Sequence, residues 1–327
     1  LATGGSAGGR AARGGDGGEA PPRGDSTPFH LTRLLSHADP GVRGRAASLA
    51  GNLARHSGEH YGEMRAAGLP RALIAALREE AEGEEEGEKK KDSRNSRSSS
   101  SNSSDAANAA AAALYSVKKF AAFAVGNAAF HSDALYPDLE PGIAPLVALL
   151  RQGTRERKEA RGRSGGGGDG AAAAANDGKA AANAAGALGN LARNSPLLGR
   201  ALAAAGAAQA LIEAVEEEAR AGGGGAEEPL PPLAFEPRDG GSPLAVALFS
   251  LGTMVAHRPL FDPRSSGEGC CEASERLEAA LDALDRRVAE WRRQFEASSP
   301  SSQATTTVVE KYAARVRAKL EAASRAS

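Results

Sequence analysis

Cysteine is almost missing from this 327-residue chain: only Cys270 and Cys271 occur, and they are adjacent. Neighbouring cysteines cannot staple distant segments, and no four-ligand zinc spacing accompanies them, so neither a disulfide framework nor a structural zinc is expected. A reducing, cytoplasmic setting is the default reading. Aromatic residues make up 4% of the chain, with a single Trp, which is too thin for a β-sandwich or barrel core. An excess of one charge is also lacking. The 40 Lys and Arg against 41 Asp and Glu leave a formal net charge of −1, which argues against nucleic acid as the main partner. The longest apolar runs are Ala-rich and broken by Gly, Asn or Lys, so no membrane span is expected. The chain opens on Leu1 rather than Met, which leads us to expect a piece of a longer polypeptide.

Glycine, by contrast, is plentiful at 40 residues, much of it in runs. Residues 1–27 are rich in Gly, Ala and Arg without apolar periodicity and read as disordered. Three further stretches, at about 79–111, 152–178 and 219–241, combine charge runs, Ser or Gly tracts and prolines. They read as solvated insertions, because they offer too little apolar surface to offset the entropy of ordering.

Between the insertions the sequence repeats. Four copies align on Gly51, Gly126, Gly189 and Gly252, each with an Ala five residues earlier (Ala46, Ala121, Ala184, Ala247). Asn52, Asn127 and Asn190 follow the first three glycines directly, and Thr253 stands in the fourth copy. Five residues after the glycine come His56, His131, Asn194 and His257. A second pattern follows the first three copies: Gly68 with Leu73, Ile74 and Leu77, Gly142 with Leu146, Val147 and Leu150, and Gly206 with Leu211, Ile212 and Val215. Spacings of three and four put those apolar side chains on one helical face, with the glycine at the preceding turn. Without the insertions the unit approaches the ~40–47 residues of armadillo or HEAT repeats. The predicted fold is therefore an all-α, armadillo/HEAT-like solenoid over 28–262, each unit covering the apolar stripe of the next.

The C-terminal part, 263–327, is expected to form amphipathic capping helices. Leu277, Leu281, Leu284, Val288, Trp291 and Phe295 form one seam, and Val309, Ala313, Val316 and Leu320 a second one flanked by basic residues. Docking on the last repeat is preferred over dimerisation, with an antiparallel turn near Pro300.

The segments 118–131, 182–194 and 242–251 resemble armadillo repeats and, more narrowly, the C-terminal repeat region of the Fused family of serine/threonine kinases. That resemblance spans about Phe29 to Pro259. It implies a regulatory scaffold whose catalytic domain lies outside this chain, with kinesin-like partners and a place near microtubules or motile cilia. Two alternatives stay open: a full-length product that is itself an active kinase, and a generic armadillo adaptor unrelated to kinases.

In armadillo proteins the third helix of each unit lines a groove in which a recurring Asn grips the backbone of an extended peptide. An amide suits that task because it carries a donor and an acceptor together. Asn52, Asn127 and Asn190 fit the role by position. One turn earlier stand Ser48, Phe123, Gly186 and Phe249, with the two phenylalanines as candidate apolar anchors. Importin-like proteins often carry Trp there, so binding of nuclear-localisation signals is not expected. Thr253 should end or change the ladder, and His56, His131, Asn194 and His257 share the face. An equally weighted reading has the asparagines simply holding neighbouring units together. Units ~10 Å apart cannot bring the histidines to one metal, and their expected role is to meet free carbonyls at helix ends.

Catalytic signals are weak. Gly165, Gly167 and Gly170 match a G-x-G-x-x-G template only inside a glycine run, and Gly178-Lys179 is followed by Ala180 rather than a hydroxyl residue. Neither H-R-D nor D-F-G occurs. No enzyme activity, metal or cofactor is expected of this chain, and the expected partner is a protein rather than nucleic acid or membrane.

Overall fold

The computed structural model describes residues 26–56, 58–79, 101–162, 170–194, 196–220, 243–255, 269–295 and 300–325. Among the described residues every regular element is helical. The α-helices are α1 (Thr27–Leu35), α2 (Pro40–His56), α3 (Tyr61–Ala66), α4 (Leu69–Arg78), α5 (Ser101–Ala128), α6 (Tyr136–Leu139), α7 (Ile143–Gly162), α8 (Gly170–Arg193), α9 (Gly199–Ala204), α10 (Ala207–Arg220), α11 (Pro243–Val255), α12 (Gly269–Phe295) and α13 (Pro300–Arg325). Short 3₁₀ turns at Glu140–Gly142 and Pro196–Leu198 complete the set.

These helices fall into two stacked rows. One runs α1, α4, α7, α10, α12 and the other α2, α5, α8, α11, α13, each helix packing on the next in its row. A short helix (α3, α6 or α9) precedes the second helix of each full unit, so the order short, second, third is that of an armadillo-type unit. Gly68 and Gly206 make the turn into α4 and α10 at φ 68° and 69°, a left-handed conformation that glycine adopts without a Cβ penalty. The apolar faces of α4, α7 and α10 are buried, Leu73, Leu146 and Leu211 completely.

The repeated alanines sit where the third helices meet: Ala46, Ala121, Ala184 and Ala247 are all buried. Small side chains allow a close approach, which the glycines make closer still. A β-carbon at Gly51 would lie 2.5 Å from the Phe123 ring and 3.2 Å from Cα of Ala124. At Gly126 it would lie 3.3 Å from Cα of Ala187, and at Gly189 3.0 Å from Cα of Ser250. Each recurrent glycine in the first three copies thus faces the backbone of the following rung.

The expected insertions are helical in part, and their residues 80–100, 163–169 and 221–241 lie outside the described residues. Helix α5 starts at Ser101, inside 79–111, because Ala106, Ala107 and Ala109–Ala113 favour helix strongly. Helix α7 runs through 152–162, where Arg157 pairs with the buried Glu218 of α10 at 2.8 Å. Helix α8 begins at Gly170, before the expected end of that insertion, again on a run of alanines. Of the stretch 1–27 expected to be disordered, residues 1–25 lie outside the described residues, and Thr27 opens α1 instead.

The segment Ala109–Ala128 has the length and apolarity to cross a membrane, contrary to the expectation that no run does. In the fold it is a core helix between α2 and α8, with Val117, Ala121, Ala122, Ala124 and Val125 buried.

Helices α12 and α13 continue both rows. Leu277, Leu281, Leu284 and Val288 are buried with α12 packed on α10, and Val309, Ala313, Val316 and Leu320 with α13 packed on α11. Pairs Arg292–Glu310 at 2.7 Å and Arg317–Asp285 at 2.7 Å tie the two helices in antiparallel order. The side chains of Trp291 and Phe295 lie outside the described residues.

Candidate functional site

The third helices are stitched in register. Asn127 Nδ2 donates to the Gly51 carbonyl at 3.0 Å, and Asn190 Nδ2 donates to the Gly126 carbonyl at 2.9 Å. One turn on, His131 Nε2 lies 2.8 Å from the Arg55 carbonyl, and Asn194 Nδ2 donates to the carbonyls of Ala129 and Phe130 at 3.0 Å. His131 therefore carries its proton on Nε2, and it closes the end of the preceding rung rather than of its own helix. The same side chains that suggest a peptide groove thus bind the stack together. Each of Asn127 and Asn190 spends its amide nitrogen on this bond, and among the described residues nothing donates to its Oδ1.

Two tyrosines join the asparagines, a feature the sequence reading missed. Tyr61 donates to the Asn127 carbonyl at 3.2 Å and Tyr136 to the Asn190 carbonyl at 2.6 Å. Both lie nine residues after a ladder Asn, so that spacing was the available signal. Burial pushes both hydroxyls above their ordinary value.

The ladder changes at the fourth copy, where a change was expected. Thr253 Oγ1 turns back to the Phe249 carbonyl of its own helix at 3.1 Å. Ser250 takes over one turn earlier, donating from a buried position to the Ala185 carbonyl at 2.8 Å. The ladder then resumes where no Gly-Asn signature announces it: Lys319 Nζ of α13 donates to the Gly252 carbonyl. Lys319 therefore occupies the ladder position of the last rung, and Arg315, one turn earlier, corresponds to Phe249, Phe123 and Ser48.

Helical spacing from the ladder position defines one stripe per rung. On α2 it carries half-buried Ser48 with exposed Asn52 and Arg55. On α5 it carries Lys119, Phe123 and Asn127, all half-buried, and Phe130, which is 41% exposed. On α8 Gly186 and Asn190 are half-buried and Arg193 is exposed. On α11 Phe249 is 37% exposed beside half-buried Thr253. Lys311 and Arg315 are exposed on α13, and Lys319 is half-buried.

Aromatic and cationic side chains alternate here. The Arg193 guanidinium sits 4.5 Å from the Phe130 ring centre, and Phe249 meets Tyr312 edge-on at 5.8 Å. Phe123 packs over Gly51 and so serves the stack as well as the face. Asn52, on the first described rung, makes no side-chain hydrogen bond among the described residues, and neither does His56. His257 lies outside the described residues. Among the described residues no group of three His, Cys, Asp or Glu is placed to hold a metal.

No family model matches the chain, and no curated protein matches it either. Solved structures similar to it include an engineered protein, with 18% identity and a TM-score of 0.40, covering 91% of this chain and 98% of that one. A designed armadillo repeat protein in complex with the peptide (KR)4 has 16% identity and a TM-score of 0.38, covering 88% of this chain and 99% of its own. A second designed armadillo repeat protein has 14% identity and a TM-score of 0.33 over 88% of this chain and 100% of that one. The armadillo-like, all-α solenoid itself is evident in the two rows of helices and the register of their stitches.

Proposed function

We propose that this chain is a protein-binding scaffold that takes an extended segment of its partner along the third-helix face, without catalysing a reaction itself. The observation that carries this is the stripe itself. Amides with unused Oδ1 acceptors stand on three successive rungs, Asn52 exposed and Asn127 and Asn190 half-buried, beside Phe123, Phe130 and Phe249. An extended peptide offers a backbone N–H to such an oxygen and apolar side chains to such rings. Selection of peptides from a displayed random library against the full chain tests it. Selected peptides are expected to lose about tenfold or more in affinity on Phe249→Ala and several-fold on Asn52→Ala. Selection of none, or of peptides indifferent to both substitutions, would overturn it.

The narrower form of the proposal follows the resemblance carried by 118–131, 182–194 and 242–251. In that form the chain is the targeting region of a Fused-like serine/threonine kinase, cytoplasmic and associated with microtubules or cilia, with a kinesin-like partner. Binding to a kinesin-like tail that is lost in the Phe249→Ala variant would support it; binding to generic peptides but to no such tail would leave the plain adaptor.

A further inference from the structure

We infer that the segment taken by this face is acidic, and that a carboxylate of it is held at the junction of α11 and α13 beside Arg315 and Lys319. The inference rests on the protein-binding reading above and names the chemistry of the partner.

The first observation is charge sorting. The whole chain is balanced at a net charge of −1, yet the ladder stripes carry Arg55, Lys119, Arg193, Lys311, Arg315 and Lys319 and no Asp or Glu. Helix α2 holds three arginines and no acid, and α11 holds no charge at all. The carboxylates gather in the other row, with Glu213, Glu216 and Glu218 of α10 pairing Arg151, Arg276 and Arg157. The acids of α13 are engaged elsewhere, Glu310 with Arg292 and Glu321 with Arg325. A face of one sign on a neutral protein attracts the opposite sign and disfavours its own.

The second observation is local. Leu248, Phe249, Thr253, Tyr312, Arg315 and Lys319 line a cavity of about 150 Å³ between the last two third helices. Its walls include two cations and no carboxylate. Arg315 is exposed and makes no ion pair among the described residues. Burial, and then the like charge of the neighbouring Arg315, hold the Lys319 ammonium below its ordinary value, and an anion set beside both cations would offset that repulsion. A carboxylate placed between Arg315 and Lys319 would receive charge-assisted hydrogen bonds, with the Phe249–Tyr312 pair shielding it from water.

Rungs lie ~10 Å apart and an extended chain advances ~3.3 Å per residue. A peptide therefore presents about three residues per rung, and about twelve span four rungs. The test is fluorescence anisotropy with the full chain and three labelled peptides of that length, alternating Leu with Glu, Gln or Lys. The Glu peptide is expected to bind about tenfold or more tighter than the Gln peptide, to weaken as salt rises, and to lose about tenfold on Arg315→Glu. Arg315→Lys should restore part of the loss, and the melting temperature of Arg315→Glu should not fall, because the side chain is exposed and the substitution removes its repulsion of Lys319. A Gln peptide that binds as tightly as the Glu peptide, or an unchanged affinity in Arg315→Glu, would overturn the acidic assignment and leave the protein-binding reading standing. Failure of all three peptides, together with failure of the library selection, would overturn both. A single-stranded oligonucleotide or a phosphatidylserine vesicle that binds tighter than the Glu peptide, with the same Arg315 dependence, would reassign the face to that polyanion.

Discussion

The α5–α8 and α11–α13 junctions use the same acceptor, the carbonyl of the recurrent glycine, and different donors. At the first, the neutral amide of Asn190 reaches Gly126, and a β-carbon on that glycine would be 3.3 Å from the backbone of Ala187. At the second, the ammonium of Lys319 reaches Gly252, whose β-carbon would meet nothing nearer than Val316 Cγ2 at 3.5 Å. Close backbone packing and a short amide thus go together, and looser packing goes with a longer donor. The exchange also changes the exposed surface, because a Lys in the ladder carries charge that an Asn does not. Stitching and surface chemistry are therefore set by one residue position.

The glycines sharpen that comparison most. Gly189→Ala would put a β-carbon 3.0 Å from Cα of Ser250 and 2.8 Å from its Cβ, forcing α11 away from α8. A loss of about 3 kcal/mol is expected by chemical denaturation, whereas Gly252→Ala should be neutral or stabilise by up to about 1 kcal/mol through helix propensity. Equal effects at the two sites would break the comparison.

Tyr136→Phe comes next. The hydroxyl donates to Asn190 and accepts from the backbone N–H of Asn194 at 3.3 Å, so its removal should cost about 1–2 kcal/mol near neutral pH. Burial raises this hydroxyl above 10.0, opposed by its hydrogen bonds to Asn194. The folded chain therefore holds the proton longer than the unfolded chain. That stabilisation is whole below pH 10 and fades as pH rises through the raised value. Urea midpoints between pH 8 and 11 should accordingly fall less steeply in the variant.

The smallest effects test the donors. Asn190→Ala should cost about 1 kcal/mol, while Asn52→Ala should stay within about 0.5 kcal/mol because no hydrogen bond is lost. Thermal melts of the two variants side by side check both, and a destabilised Asn52→Ala would show that the first rung is stitched as well.

Much of this architecture was legible in the amino-acid order. Gly51, Gly126, Gly189 and Gly252 mark the rungs, and the glycine-led pattern with Leu73, Leu146 and Leu211 marks the companion row. Insertion boundaries were misread because Ala-rich sequence at 106–113 and 171–175 carries no amphipathic signal, yet it is strong helix former. Of the face, the asparagine positions could be read, while their attachment to carbonyls 64 and 76 residues away could not. Lys319 was hidden for another reason. It fills the ladder position without its Gly-Asn signature, so only the bond to Gly252 reveals the register.

Local order alone determined that the chain is helical, that its units repeat, and which side chains share a helical face, since these follow from spacings of three and four. Only the packed stack decided which groups those side chains meet. Rung spacing depends on backbone contact between helices far apart in sequence. That contact turned Asn127, Asn190 and Lys319 into stitches and brought Arg193 and Arg315 to the same side of a neutral protein.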